Sequence, residues 1–350
     1  MKAIHKITLL LLLLPVLSFA GITKGKYLKE KKINRAFNVN STAALQVMNK
    51  YGNVTITTWD ENKTNIDVVI TVSGNDEEDV NNRLASINVE FKDSPSLVEA
   101  YTRMGKFKGR NISLEINYTI KMPKNGTLGI GNTYGDIRLG KMYGGMNVKI
   151  QYGSLNIDEA NSENNKLDLQ YASDSKIGYV KSAEISMQYS SIDAGKIGTA
   201  NVKSEYSDLK VKSVSDVKTN MAYSEFVAGW ADKVIVDGDY SNVKCDRLNG
   251  MLTASLNYGD LKVSTISKDT RVVAVKNEYG ETRLGFAPDA GFTFDFTTEY
   301  GGISGKDLLN FNEASEKSFT AHYTGSSKSG SGNCKVTAKT SYGDIKISRN

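Results

Sequence analysis

Histidine is almost missing from this 350-residue chain: only His5 and His322 occur. A Ser-His-Asp triad needs an imidazole beside its nucleophile, and His322 stands alone next to a Gly/Ser-rich insert. HExxH, CxxC and a phosphate-binding glycine loop are also missing, which removes the usual sequence signs of a zinc protease, a thiol redox site or a nucleotide site. The two cysteines, Cys245 and Cys334, are too few for a disulfide framework. Proline is scarce, at four residues. Beyond residue 20 no stretch reaches the roughly 18 apolar residues of a spanning helix. Neither sign of charge dominates, with 44 basic against 39 acidic residues and a net of +5. That balance points to neither nucleic acid nor a strongly anionic partner.

What is present begins with "MKAIHKITLLLLLLPVLSFAG". Lys2 and Lys6, an apolar stretch from Ile7 to Leu17 and a small-residue site near Ala20 make residues 1–20 a secretory signal peptide. Its removal leaves no cysteine at the new N-terminus, so no lipid anchor is expected there. The expected location is outside the cytoplasm, periplasmic or associated with the cell surface.

Tyrosine supplies the strongest pattern. Thirteen of the 18 are followed directly by Gly, Ser or Ala. From Tyr134 they recur at Tyr152, Tyr171, Tyr189, Tyr206, Tyr223, Tyr240, Tyr258, Tyr279, Tyr300 and Tyr342, with most steps of 17 to 19 residues. Tyr323 is expected to hold the penultimate place, with an inserted loop around it. A fixed period of this length marks a solenoid. Within each unit the apolar period is two, as in Leu252, Ala254 and Leu256 before Tyr258, or Leu261 and Val263 after it. The unit is therefore two short strands and a corner. Stacked at about 4.8 Å, roughly eleven coils make a rod about 50 Å long. At the corner, Ala172, Ser190, Ser207, Ser224 and Ser241 share the place after tyrosine with glycines such as Gly135, Gly153, Gly259, Gly280 and Gly343. Small size, rather than a positive φ at that place, is the expected constraint, and the serines can pass hydrogen bonds along the stack. Since each tyrosine shares parity with the apolar residues before it, its ring is expected to close the core at the corner.

The expected fold is all-β: a right-handed parallel β-solenoid over residues 129–350, with a loop insert near 306–333. A β-rich cap over residues 21–128 precedes it. Asn75 is read as opening a short helix near 76–86, with Val80, Leu84 and Ile87 on its apolar face. At the other end the chain stops soon after Ile347 with no obvious cap, unless the insert folds over it.

The early "YGNVTITTWD", the passage "YTIKMPKNGTLGIGNTYGDIRL" and the ladder of Tyr-Gly/Ser-Asp corners resemble a large family of exported bacterial proteins of uncharacterised function. These are the putative adhesins common in the Bacteroidetes. The resemblance covers nearly the whole chain after the signal peptide and implies the parallel β-solenoid. Its motifs are motifs of fold, so they imply little about activity.

Two candidate surfaces follow. Stacked rings at Tyr189, Tyr206, Tyr223, Tyr240 and Tyr258 form a candidate ligand strip for sugars or a peptide. Asp208, Glu225, Asp260 and Glu281 form a candidate acidic row, either a calcium column or a carboxylate pair for glycoside chemistry. A basic row two residues on, including Lys210, Lys262 and Arg283, makes the alternative a charge-balanced surface. Arg103, Lys106, Lys108 and Arg110 are read as a solvated hairpin tip or a contact to a polyanion. Cys245 and Cys334, four or five coils apart on this reading, are expected as buried free thiols. Altogether the sequence points to a non-catalytic, adhesin-like binding or scaffolding protein without cofactor, presenting a repetitive surface to envelope glycan or a surface protein. The alternatives are a carbohydrate-active enzyme with a groove along one face, and an envelope protein that associates end to end through its C-terminal coil.

Overall fold

A computed structural model describes residues 25–350, so the expected signal peptide lies outside the described residues. Over the described residues the chain is a parallel β-solenoid with a single α-helix, Glu77–Ala85. Each coil has one strand before its tyrosine and one after it, and each strand pairs in register with its counterparts in the coils on either side. On the face before the tyrosines, Leu167, Ile185, Val202, Thr219 and Val236 lie side by side in successive strands. On the other face Ile192, Leu209, Phe226 and Val243 do the same. All nine are buried. The alternation in sequence thus becomes two apolar columns facing one interior, which no single coil could bury alone. Where the coil length is shortest, the strand after one tyrosine bends directly into the strand before the next, as in Asp208–Ala222 and Glu225–Asp239.

Parallel stacking starts earlier than residue 129. Ala44–Lys50 and Val54–Trp59 already form a coil, pairing with Leu128–Thr133 and Ile137–Met142. On the other side of that coil Leu97–Met104 and Ser113–Pro123 also stack parallel. Antiparallel strands then close this end: Lys63–Gly74 lies between Tyr27–Asn38 and Ser113–Pro123, and Ile87–Ser94 pairs with Leu97–Met104. The helix Glu77–Ala85 is capped by Asp76, one residue later than expected; the Asp76 side chain accepts the Asp79 N–H at 2.9 Å. Val80 is its buried contact, while Ile87 is buried from the following strand.

The C-terminal end departs from the expected order. Val272–Glu278 pairs with Cys334–Ser341, which pairs in turn with Phe292–Glu299. The coil that comes last in sequence is therefore second to last in space. The insert forms a hairpin, Leu309–Lys317 with Thr320–Ser327, whose second strand runs antiparallel along Phe292–Glu299. The coil that ends the sequence is internal, and the insert folds over the outermost coil as this antiparallel hairpin, the alternative that the sequence left open to an uncapped end. Tyr323 belongs to this hairpin and is buried, so it has no place in the tyrosine series. The inversion also brings the coils of Cys245 and Cys334 to three steps apart, and both thiols are buried and free.

Candidate functional site

Twelve tyrosines sit at the corners with φ between 49° and 62°, the left-handed region. This conformation costs an L-residue about 1–2 kcal/mol and is usually left to Gly, Asn or Asp. It turns the side chain out of the alternation that precedes it. The rings therefore do not close the core, as their parity suggested; eleven of the twelve are 43–51% exposed, and only Tyr51 is less so. In space they run Tyr51, Tyr134, Tyr152, Tyr171, Tyr189, Tyr206, Tyr223, Tyr240, Tyr258, Tyr279, Tyr342 and Tyr300. Neighbouring ring centroids are 4.6–5.2 Å apart and the planes differ by 1–12°. Phe319, at the hairpin tip, stacks on the outer face of Tyr300 at 5.0 Å, and the Lys50 ammonium lies 5.1 Å from the ring centre of Tyr51.

The five tyrosines of the candidate strip are therefore consecutive members of one stack. Stacking fixes what they offer. Ring faces are occupied by the next ring, so solvent meets ring edges and hydroxyls. Each pair contributes about 0.5–1.5 kcal/mol, comparable with the backbone strain it accompanies.

The corner beneath takes two forms. In the first glycine corners the N–H after tyrosine donates to the tyrosine carbonyl of the next coil, from Gly52 to Tyr134 at 3.0 Å and from Gly135 to Tyr152 at 3.2 Å. A Cβ on Gly259 would stand 1.8 Å from the carbonyl oxygen of Ser241, and one on Gly343 1.9 Å from that of Gly280. In the serine form the same N–H donates to the next serine hydroxyl: Ser190 to Ser207 at 2.9 Å, Ser207 to Ser224 at 3.2 Å, Ser224 to Ser241 at 3.1 Å. Each hydroxyl then donates to the carbonyl two residues back, as from Ser224 to Ala222 at 2.8 Å. The corner is limited by size and linked by serines, as its composition indicated; a positive φ is found at the tyrosine in every corner and at the following residue only in Gly52 and Gly135.

The acidic row splits along the same division. Where the next corner carries glycine, the third residue holds that next coil: Asp260 accepts the Glu281 N–H at 2.9 Å, Asp136 that of Ser154 at 3.0 Å, and Asn242, itself in a serine corner, that of Asp260 at 2.9 Å. Glu281 is paired with both Arg283 and Lys346. Asp208 and Glu225, in serine corners, are neighbours in register without such a bond to a backbone N–H. Among the described residues no group of three or more acidic, His or Cys side chains is placed to hold a metal ion.

Elsewhere the structure shows features the sequence did not reveal. A groove of about 690 Å³ lies on the outer face before the tyrosines, lined by Lys166, Asp168, Glu184, Ser186, Asn201, Lys203, Lys218 and Asn220. His322 Nε2 lies 3.0 Å from Asp295 Oδ1 on the exposed side of the C-terminal hairpin. Inside that hairpin Lys306 donates to the Tyr323 hydroxyl at 2.8 Å, and Tyr323 donates to Glu316. These bonds raise the Lys306 pKa and lower that of Glu316. Burial pushes the Cys245 thiol up to about 12 and that of Cys334 up to about 11, so both stay protonated at neutral pH. Of the basic cluster, Arg103 is held by Glu90 across a hairpin at 2.8 Å.

No curated protein matches the chain. Similar solved structures include a putative adhesin from Parabacteroides distasonis, 10% identical, covering 93% of this chain and 99% of that one with a TM-score of 0.31. A putative adhesin from Parabacteroides merdae is 8% identical over 93% and 98% of the two chains, with a TM-score of 0.30. One from Bacteroides fragilis is 14% identical over 91% and 97%, with a TM-score of 0.21. The family comparison is the decisive one: residues 31–348 match Toastrack DUF4097, and the chain belongs to that family.

Proposed function

We propose that this is an exported, non-catalytic, adhesin-like binding or scaffolding protein of the cell envelope, with the tyrosine ladder as its recognition surface. The observation that carries this reading is the row of eleven exposed phenols at a nearly constant spacing. A side chain kept in a strained backbone region at every coil, and yet turned to solvent, is poorly explained by core packing. Since the ring faces are closed, recognition runs through hydroxyls, each able to donate and accept one hydrogen bond or more. At about 1 kcal/mol net per bond, four engaged phenols correspond to a dissociation constant near 1 mM. Eight correspond to about 1 μM, before ordering costs. Affinity should therefore rise with ligand length, as expected for a multivalent grip on an extended glycan or protein.

The test is retention of residues 21–350 on isolated envelope fractions, peptidoglycan and a panel of polysaccharides, with released sugar measured in the same wells. Loss of retention when Tyr206, Tyr223 and Tyr240 are all changed to Phe, which keeps the stack, supports the reading. Retention unchanged by that variant removes the ladder as the surface. Sugar release favours the enzyme alternative and directs attention to the groove carrying Asp168 and Glu184.

A further inference from the structure

The ladder is also a continuous column of identical, oxidisable groups, and this holds whatever the protein binds. Phenols give up one electron and one proton to become neutral phenoxyl radicals. Transfer from a phenol to a neighbouring phenoxyl is a degenerate exchange: the donor loses its O–H hydrogen as an electron and a proton, and the acceptor oxygen regains an O–H bond. Two conditions make it fast, π contact for the electron and a short path for the proton. Successive rings meet the first condition, at 4.8 Å and within 5° through Tyr206, Tyr223 and Tyr240. The second is met because eleven of the twelve residues are 43–51% exposed while their ring faces are covered, which leaves ring edges and hydroxyls to solvent, where one water can bridge neighbours. The buried phenols Tyr118 and Tyr323 stack on no ladder ring among the described residues, and the two thiols are buried in protonated form. The ladder is thus the oxidisable path that runs the length of the rod.

We propose that the tyrosine ladder is a relay for oxidising equivalents: a radical formed at one phenol by a one-electron oxidant of the haem-peroxidase class, using hydrogen peroxide, spreads along the stack. It ends where two radicals meet, through a carbon–carbon bond between ring positions ortho to the hydroxyls. The balance is two phenols and one hydrogen peroxide giving one biphenol and two waters. Coupling to a phenol on a neighbouring molecule would fasten the rod covalently to its surroundings. Tyr143 is an internal reference, equally exposed at 49% but without a ring partner among the described residues.

The experiment starts the oxidation at one end. Because Cys245 and Cys334 are buried, a cysteine introduced by Lys50→Cys can be labelled alone with a ruthenium photo-oxidant beside Tyr51. Flash oxidation with persulfate as electron acceptor, in the presence of a radical trap, is followed by peptide mapping. The expected result is trapping at ladder positions as far as Tyr240, several-fold above Tyr143. In Tyr171→Phe/Tyr189→Phe, which keeps the stack but removes two oxidisable rings, trapping beyond the gap should be lost. Labels confined to Tyr51 and Tyr134 would overturn the proposal, as would a distribution unchanged by the double substitution, which marks a diffusing oxidant. Circular dichroism of each variant checks that the fold is kept.

Discussion

Replacing Tyr223 by Phe, Ala or Gly separates the two energies balanced at each corner. Tyr223 stacks on Tyr206 and Tyr240 at 4.8 Å and holds φ at 52°. Phe keeps both stacks and loses only an exposed hydroxyl, so its effect should be within about 0.5 kcal/mol. Ala loses two stacking pairs, about 1–3 kcal/mol, and still bears the left-handed strain. Gly loses the same stacks but sheds about 1–2 kcal/mol of strain, partly offset by its greater freedom when unfolded. Gly should therefore be more stable than Ala by about 1 kcal/mol, the reverse of their usual order within a strand. Urea denaturation followed by circular dichroism would rank the midpoints, which are preferable to extrapolated free energies because a repeat array need not unfold in two states. An Ala variant as stable as Gly would refute the claim that the corner is strained and that stacking offsets it.

Other perturbations test the rest of the corner and the ends. Ser224→Ala removes the acceptor of the Ser207 N–H and should cost about 1–3 kcal/mol in the same assay. Gly259→Ala drives a Cβ into the Ser241 carbonyl and should cost about 3 kcal/mol, because the obstacle is backbone. Native Cys245 and Cys334 should resist a thiol reagent at about pH 8 and react once denaturant is added. Unfolded thiols ionise first as pH passes their ordinary 9.0, so the pair's contribution to stability is intact below that value and declines above it. Deleting residues 309–327 uncovers the edge of Phe292–Glu299, and sedimentation should then show size increasing with concentration.

Repetition made the solenoid legible. Alternating apolar residues such as Ile185 and Val202, at equal distances from their tyrosines, could share a column only if successive strands were parallel and in register. The small residues after the tyrosines gave the close corner contact for the same local reason. The outward turn of the tyrosines was hidden. Parity placed them inside, and nothing in a tyrosine signals a positive φ; the stack of neighbours supports a conformation that one coil alone would avoid. Asp260 and Asp208 look alike in sequence, yet only Asp260 is bonded to the next coil's backbone: the corner after Asp260 carries glycine, whereas the one after Asp208 carries serine and its Glu225 N–H donates to the Ser207 carbonyl instead.

The sequence by itself determined the coil, its period, its core columns and its small corners, since these depend on residue spacing within one repeat and its neighbour. Tertiary structure decided the rest: which way the tyrosines face, that the coil of Tyr342 lies inside that of Tyr300, and that a hairpin covers the end. Parallel edges of successive coils are nearly equivalent as pairing partners. The choice among them rests on the whole chain's hydrogen bonds and burial, which are not written in any one stretch.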